Sequence, residues 1–214
     1  MNKEMTEMTM KIFRQINPSR RAVMIGIASA AAVLPLAGPA LALSETQATA
    51  HVEKLVAAIN KVIASGKSES QMIKEFEKIF VKYSDVKHLA GYALGVEGRR
   101  ASSSQKKAFT KAFQGYIARK YGKRFREFIG GKLQVLSTKT VKSHVEVKTM
   151  AYLKGQSPFD VTFFVHEKHG KPLFYNMYIE GINMLLNEQR EIGAMLDKRR
   201  GNIDQLIKDL KTAG

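Results

Sequence analysis

Residues 159–196, FDVTFFVHEKHGKPLFYNMYIEGINMLLNEQREIGAML, constrain the fold more than any other stretch of the chain. Apolar side chains fall on alternate positions through Phe159, Val161, Phe163 and Val165, and again through Leu173, Tyr175, Met177 and Ile179. That period of two becomes a continuous face only on extended strands. Lys168-His169-Gly170-Lys171 supplies a turn between the two runs, and Gly181 marks a corner beyond which the spacing becomes helical. So much apolar surface builds either a dense core or the lining of an apolar cavity, and the residues alone leave both open.

The same patterning extends upstream. Residues 133–142 and 144–153 read as two further strands, the second with Val145, Val147, Thr149, Ala151 and Leu153 on one face. Before them the apolar positions recur at helical spacing. Val52, Leu55, Val56, Ile59, Val62 and Ile63 predict a helix over 45–64. Met72, Ile73, Phe76, Ile79 and Phe80 predict a second, opened by Ser68 with Gln71 as a capping box. Asp85 caps a short third helix ending near Gly95. A long helix from Ser102–Ser104 to about Phe128 carries Phe109, Phe113, Tyr116, Ile117, Tyr121, Phe125 and Phe128 on one face, with much of the rest basic. Helices over 183–199 and around Ile203–Leu210 close the chain. Helices, an antiparallel meander of about four strands, then helices define an α+β fold with the helices on one face of the sheet.

The 214 residues hold 35 Lys and Arg against 19 Asp and Glu, a net charge of +16, and no cysteine. Disulfides and thiolate chemistry are therefore excluded. Asn17-Pro18-Ser19-Arg20-Arg21 precedes an apolar run from Ala22 to Leu43 that ends in Ala40-Leu41-Ala42. A basic lead, an apolar stretch and a small-residue exit predict a signal peptide over 1–42, of either the twin-arginine or the general secretory kind, with a single domain over 43–214. The working domain keeps a net +13, because residues 1–42 contain five basic and two acidic side chains. Export makes nucleic acid an unsuitable partner and an anionic membrane surface a suitable one. No G-x-S-x-G, P-loop, H-E-x-x-H or G-x-G-x-x-G motif is present. His166-Glu167-Lys168-His169 is the nearest approach to a metal site, but Lys168 between the histidines opposes a dication, so no metal, cofactor or catalytic residue is expected.

The run DVKHLAGYALGVEGRRASSSQKKAFTKAFQGYIARKYGKRF, Asp85 to Phe125, resembles the periplasmic phospholipid-binding MlaC family, also called the toluene-tolerance family. The matching pieces are Ala93-Leu94-Gly95, then Gln105 with Phe109 and Phe113, then the surroundings of Tyr121. A second match joins Tyr175-Asn176-Met177 to Glu180-Gly181-Ile182-Asn183 and Gln189. Where the family has tryptophans this chain has Gly98 and Pro172, and Asn176 stands where the family has aspartate. Those departures point to a divergent branch, of which a hopanoid-associated group is one.

The resemblance implies an NTF2-like fold enclosing an apolar cavity between sheet and helices. It also implies a non-enzymatic periplasmic carrier that encloses phospholipid tails and shuttles lipid between membranes. Its partners would be an inner-membrane ABC-type transporter and an outer-membrane lipoprotein complex. On that footing Phe109, Phe113, Tyr116, Ile117 and Tyr121 of the long helix are expected to contact lipid. So are Val145, Val147, Val161, Phe163, Val165, Tyr175, Met177 and Ile179 of the strands, with Phe163, Tyr175 and Met177 foremost. Arg119, Lys120, Lys123 and Arg124 would meet the head group or the membrane. The alternatives are a carrier of another polar lipid such as a hopanoid, and a basic envelope adaptor that binds no lipid.

Overall fold

The computed structural model describes residues 43–123 and 131–214. The expected signal peptide at 1–42, and Arg124, Phe125 and Phe128, expected in the long helix, lie outside the described residues. Helices α1 (Glu45–Ile63), α2 (Glu69–Tyr83) and α3 (Val86–Leu94) lead through a 3-10 turn at Gly95–Arg99 to α4 (Ser103–Gly122). Strands β1 (Lys132–Val141), β2 (His144–Tyr152), β3 (Phe159–Lys168), β4 (Lys171–Ile179) and β5 (Ile182–Asn183) follow, then α5 (Met184–Lys198) and α6 (Ile203–Leu210). The protein is α+β: among the described residues, six helices pack on an antiparallel sheet whose spatial order, β1-β2-β3-β4-β5, is also its chain order. None of the described helices is long and apolar enough to cross a membrane.

Local chemistry sets the boundaries. Ser44, Ser68 and Ser102 each accept a hydrogen bond from the backbone N–H of a glutamine three residues on (Gln47, Gln71 and Gln105). The glutamine side chain accepts one in return, so α1, α2 and α4 all start with reciprocal caps. Asp85, Asn183 and Asn202 cap α3, α5 and α6. Two hairpins use residues with positive φ at both central positions: His169 (52°) with Gly170 (73°), and Glu180 (49°) with Gly181 (75°). That backbone matches the right-handed twist of the strands it joins. The second of these turns makes Gly181 a hairpin rather than a corner. It creates the two-residue strand β5, pairing Tyr178 with Asn183 and Ile179 with Ile182, a fifth strand too short to be visible as alternation.

The inner face of the sheet is built by cross-strand pairs of apolar residues: Val145 with Val165, Val147 with Phe163, and Thr149 with Val161. Thr149 is fully buried, and its hydroxyl donates to the Val161 carbonyl at 2.8 Å, which satisfies the one polar group in this row. Helix α4 packs between α2 and α6, α3 lies against α5, and α1 crosses the inner side of the sheet. Phe109 and Phe113 are fully buried and lie in one apolar cluster with Val52, Ile192, Leu206 and Leu210. Each such side chain contributes about 1.5–3 kcal/mol on removal from water.

One irregularity changes a face. Pairing of β3 with β4 runs Phe163 to Met177 and Phe164 to Asn176, then shifts so that Val165 meets Phe174. Tyr175 is the extra residue of this bulge. Strict alternation along β4 puts Leu173, Tyr175, Met177 and Ile179 together. The bulge instead brings Phe174 in beside Met177 and Ile179 and turns Tyr175 to the other side, where it stacks on His166 (4.7 Å between ring centroids) and meets His88, His144 and Phe164 edge-on.

Candidate functional site

Sheet and helices do not touch everywhere. A cavity of about 500 Å3 lies between them, within the roughly 300–1,000 Å3 typical of ligand sites. Its deep end is formed by Phe80, Leu89, Phe163 and Phe174, all buried. Leu55 and Ile59 of α1 and Phe76 of α2 form one wall, and Met184 and Leu185 of α5 another. At the far end the lining residues Gln156 and Ser157 of the β2–β3 turn and Glu180 of the β4–β5 turn are exposed, and they mark the mouth. A second depression, of about 600 Å3 between α2 and α4, is lined by Lys74, Glu77, Lys78 and Lys111 and lacks an apolar wall of this kind.

The structure divides the residues expected from the sequence. Phe113, Ile117, Tyr121, Val161, Phe163, Met177 and Ile179 line the cavity. Phe109, Val145, Val147 and Val165 face inward but are fully buried in the packed core and do not reach it. The course of α4 explains this: its N-terminal half presses on neighbouring elements, and successive turns at Phe113, Ile117 and Tyr121 border the opening. Tyr116 belongs to a polar cluster described below, and Tyr175 is turned away by the bulge. Leu55, Ile59, Phe76 and Phe80 are the main additions. Their apolar stripes were visible in the sequence, but not which stripe would face empty space.

The basic residues are engaged elsewhere. Arg119 donates to the Leu210 carbonyl and, at 2.8 Å, to that of Ala213, tying α4 to the end of α6. Lys123 donates to the Gly214 carbonyl at 2.5 Å. Lys120 lies between two carboxylates, 2.7 Å from Glu188 Oε1 and 2.6 Å from Glu191 Oε2. None of these three is left as a free cation at the mouth, and Arg124 lies outside the described residues. Arg119, Lys120 and Lys123, expected at the head group, thus each bond to acceptors within the fold, on α5 and at the C-terminal end of the chain.

Lys120 anchors a polar cluster that reaches the cavity wall through Tyr121 and Glu188. Tyr121 donates to Glu188 Oε1 at 2.6 Å, and Tyr116 donates to Glu191 Oε2 at 2.9 Å. Burial, reinforced by the charge of Glu188, pushes both phenols far up, so each stays a neutral donor. Burial also works to raise Glu191, but hydrogen bonds from Lys120 and Tyr116 outweigh it and hold that carboxyl below its usual range. The sequence carried a signal for Glu188: it shares the apolar stripe of Leu185, Ile192 and Leu196 at helical spacing. Asn176 has a supporting role beside it. Its Oδ1 accepts from the backbone N–H of Met177 (2.8 Å) and Leu185 (3.2 Å), and its amide donates to Asn183, locking β4 to the start of α5.

The two histidines of the 166–169 run part in the fold. His166 stacks on Tyr175 and lies 3.2 Å from Asp85, whereas His169 sits in the exposed hairpin turn. Burial lowers the affinity of His166 for a proton more than Asp85 raises it. Burial likewise works to raise Asp85, but the Lys168 ammonium (2.5 Å) and the His88 N–H hold it below the carboxylate range. Among the described residues no three or more His, Asp or Glu side chains gather as metal ligands do.

The architecture is thus an α+β layer of helices over an antiparallel meander, with an apolar cavity between the layers and a mouth between two turns of the sheet. Residues 50–212 match the family described as MlaC protein, and the chain belongs to that family. A solved structure of the phospholipid-binding protein from Ralstonia solanacearum, in complex with a phospholipid, superposes with a TM-score of 0.67 at 17% identity. The match covers 77% of this chain and 94% of that one, and shows a common fold.

Proposed function

We infer that the protein is a periplasmic carrier that encloses the acyl tails of a phospholipid and moves the lipid between membranes without chemical change. The observation that carries this reading is the apolar cavity of about 500 Å3 opening between the β2–β3 and β4–β5 turns. Membership of the MlaC family and the likeness to a phospholipid-binding protein support it. The energetics agree. Exposing a tail of about 16 carbons to water costs on the order of 12 kcal/mol, so a carrier must bury the tail completely. Rings of Phe76, Phe80, Phe113, Phe163 and Phe174 with the flexible thioethers of Met177 and Met184 suit tails of varied shape.

The partners that fit this role are an inner-membrane ABC-type transporter and an outer-membrane lipoprotein complex, with anionic membrane surfaces attracting the net positive charge. Lipid extraction of the purified protein followed by mass spectrometry tests the proposal. Roughly one phospholipid per chain is expected, and protein purified without any lipid from a lipid-replete host overturns it.

A further inference from the structure

The outer side of the helical layer holds positive charge that its own carboxylates do not balance. The depression of about 600 Å3 between α2 and α4 adjoins another, of about 500 Å3, between α2, α4 and α6, and Glu77 and Lys111 line both. Together their walls carry six cations, Lys67, Lys74, Lys78, Lys111, Arg119 and Lys211, against two anions, Glu75 and Glu77, a net +4. Glu75 is shared by Lys67 at 3.5 Å and Lys78 at 3.2 Å, and Glu77 pairs with Lys111 at 3.0 Å. Lys74 and Lys211 are exposed and have no carboxylate partner among the described residues. Arg119 donates to carbonyls, which carry no net charge to offset its own. Phe76, Phe80, Phe113 and Ile117 line the cavity from other sides of α2 and α4, so the trough and the cavity are separate.

We propose that this trough along α2, α4 and α6 is a docking site for an acidic helix of a protein partner. From the carrier reading it takes only that such a partner exists. The charge calls for an anionic occupant. The shape selects among anions: a bilayer surface is flat on this scale and meets recessed ammonium groups poorly. A helix about 10–12 Å across lies along a trough between helices. The small side chains of Ala108 and Ala112 on α4 let its backbone come close. The pairs on Glu75 and Glu77 are largely exposed on the lysine side, and exposed pairs of this kind are weak, so their lysines can turn to the incoming carboxylates.

The test uses the purified protein as isolated and a stapled helical peptide of about 20 residues, roughly 30 Å long, with glutamates along one face. An unfolded peptide of the same composition and vesicles of phosphatidylglycerol with phosphatidylcholine are the comparisons. Binding is measured by fluorescence anisotropy at low salt, where exposed charges are least screened. The acidic helix is expected to bind, and the double variant Lys74→Glu with Lys211→Glu to weaken it about tenfold or more. Lys148→Glu with Lys171→Glu, exposed positions on β2 and β4, makes the same change in total charge and is expected to alter binding by less than about twofold. Equal losses in the two double variants, or no binding of the acidic helix to the unsubstituted protein, overturn the proposal. An unfolded peptide that binds as well overturns the helical occupant. Vesicle binding that falls only in the Lys74 and Lys211 variant, with the peptide indifferent, assigns the surface to a membrane and overturns it too. Amide NMR shifts of the unsubstituted protein are expected at Lys74, Ala108 and Ala112 and not at Gln156 or Glu180 of the mouth, which keeps the proposal testable if a variant does not fold. Lipid content is measured on the same samples: absence of lipid counts against the carrier reading, and loss of peptide binding counts against the docking site.

Discussion

The two ends of the inner sheet face have nearly the same composition and opposite fates. At one end Val145, Val147 and Val165 are fully buried in packed core, with Phe109 in the same cluster. At the other, Ala151, Val161, Met177 and Ile179 border open volume beside Ile117 and Tyr121. Both ends alternate apolar residues with period two, and both lie on the same strands. Alternation thus fixes which side chains face inward, while the approach of the helices decides whether they meet other side chains or a cavity.

Substitutions at the two ends break or sharpen this contrast. The largest effect is expected at the closed end. Phe109→Ala removes a fully buried ring and costs roughly 3–5 kcal/mol, read from urea unfolding of the delipidated protein. Lipid bound per folded molecule is expected not to change, and a proportional loss of lipid would place Phe109 functionally in the open end. Asp85→Ala comes next. It deletes the α3 cap and leaves Lys168 without its buried partner, at about 2–3 kcal/mol by the same measurement. At the open end the balance reverses. Met177→Trp fills void rather than core, so stability is expected to move by no more than about 1 kcal/mol. Lipid recovered per chain is expected to fall by half or more, and full loading would show that Met177 does not limit the occupied volume.

The smallest effect is a pH dependence. Burial holds His51 and His166 below the ordinary 6.5 in the folded protein. A depressed folded value means that the unfolded chain takes up the proton first. The stability they confer is complete above pH 6.5 and is lost as pH falls through that value towards the folded ones. The melting temperature is therefore expected to be lower at pH 5 than at pH 7, and an equal or higher value would contradict the neutral, buried state of both rings.

Much of the fold was legible because its rules are local. Spacing identified six helices and four of the strands among the described residues, and serine and glutamine three apart marked a helix start. The site was legible only in part. Phe113, Ile117, Phe163 and Met177 could be placed on an inward face, but Tyr175 could not, since a bulge leaves no period of its own and shifts one residue across the sheet. The internal bonds of the basic run Arg119–Lys123 were not legible, because its acceptors, Glu188, Glu191 and the carbonyls near Gly214, lie about seventy or more residues away and meet it only in the folded chain.

The agreement between strand order and chain order has a consequence for how the molecule assembles. Each hairpin of the β1-to-β5 meander closes over a short span, at a small entropic cost. The wall made by α1 and α2 must instead return across a long stretch of chain to meet β1 through β4. The enclosure of the cavity is thus the part of the fold that rests on long-range contacts, whereas the sheet beneath it rests on short-range ones.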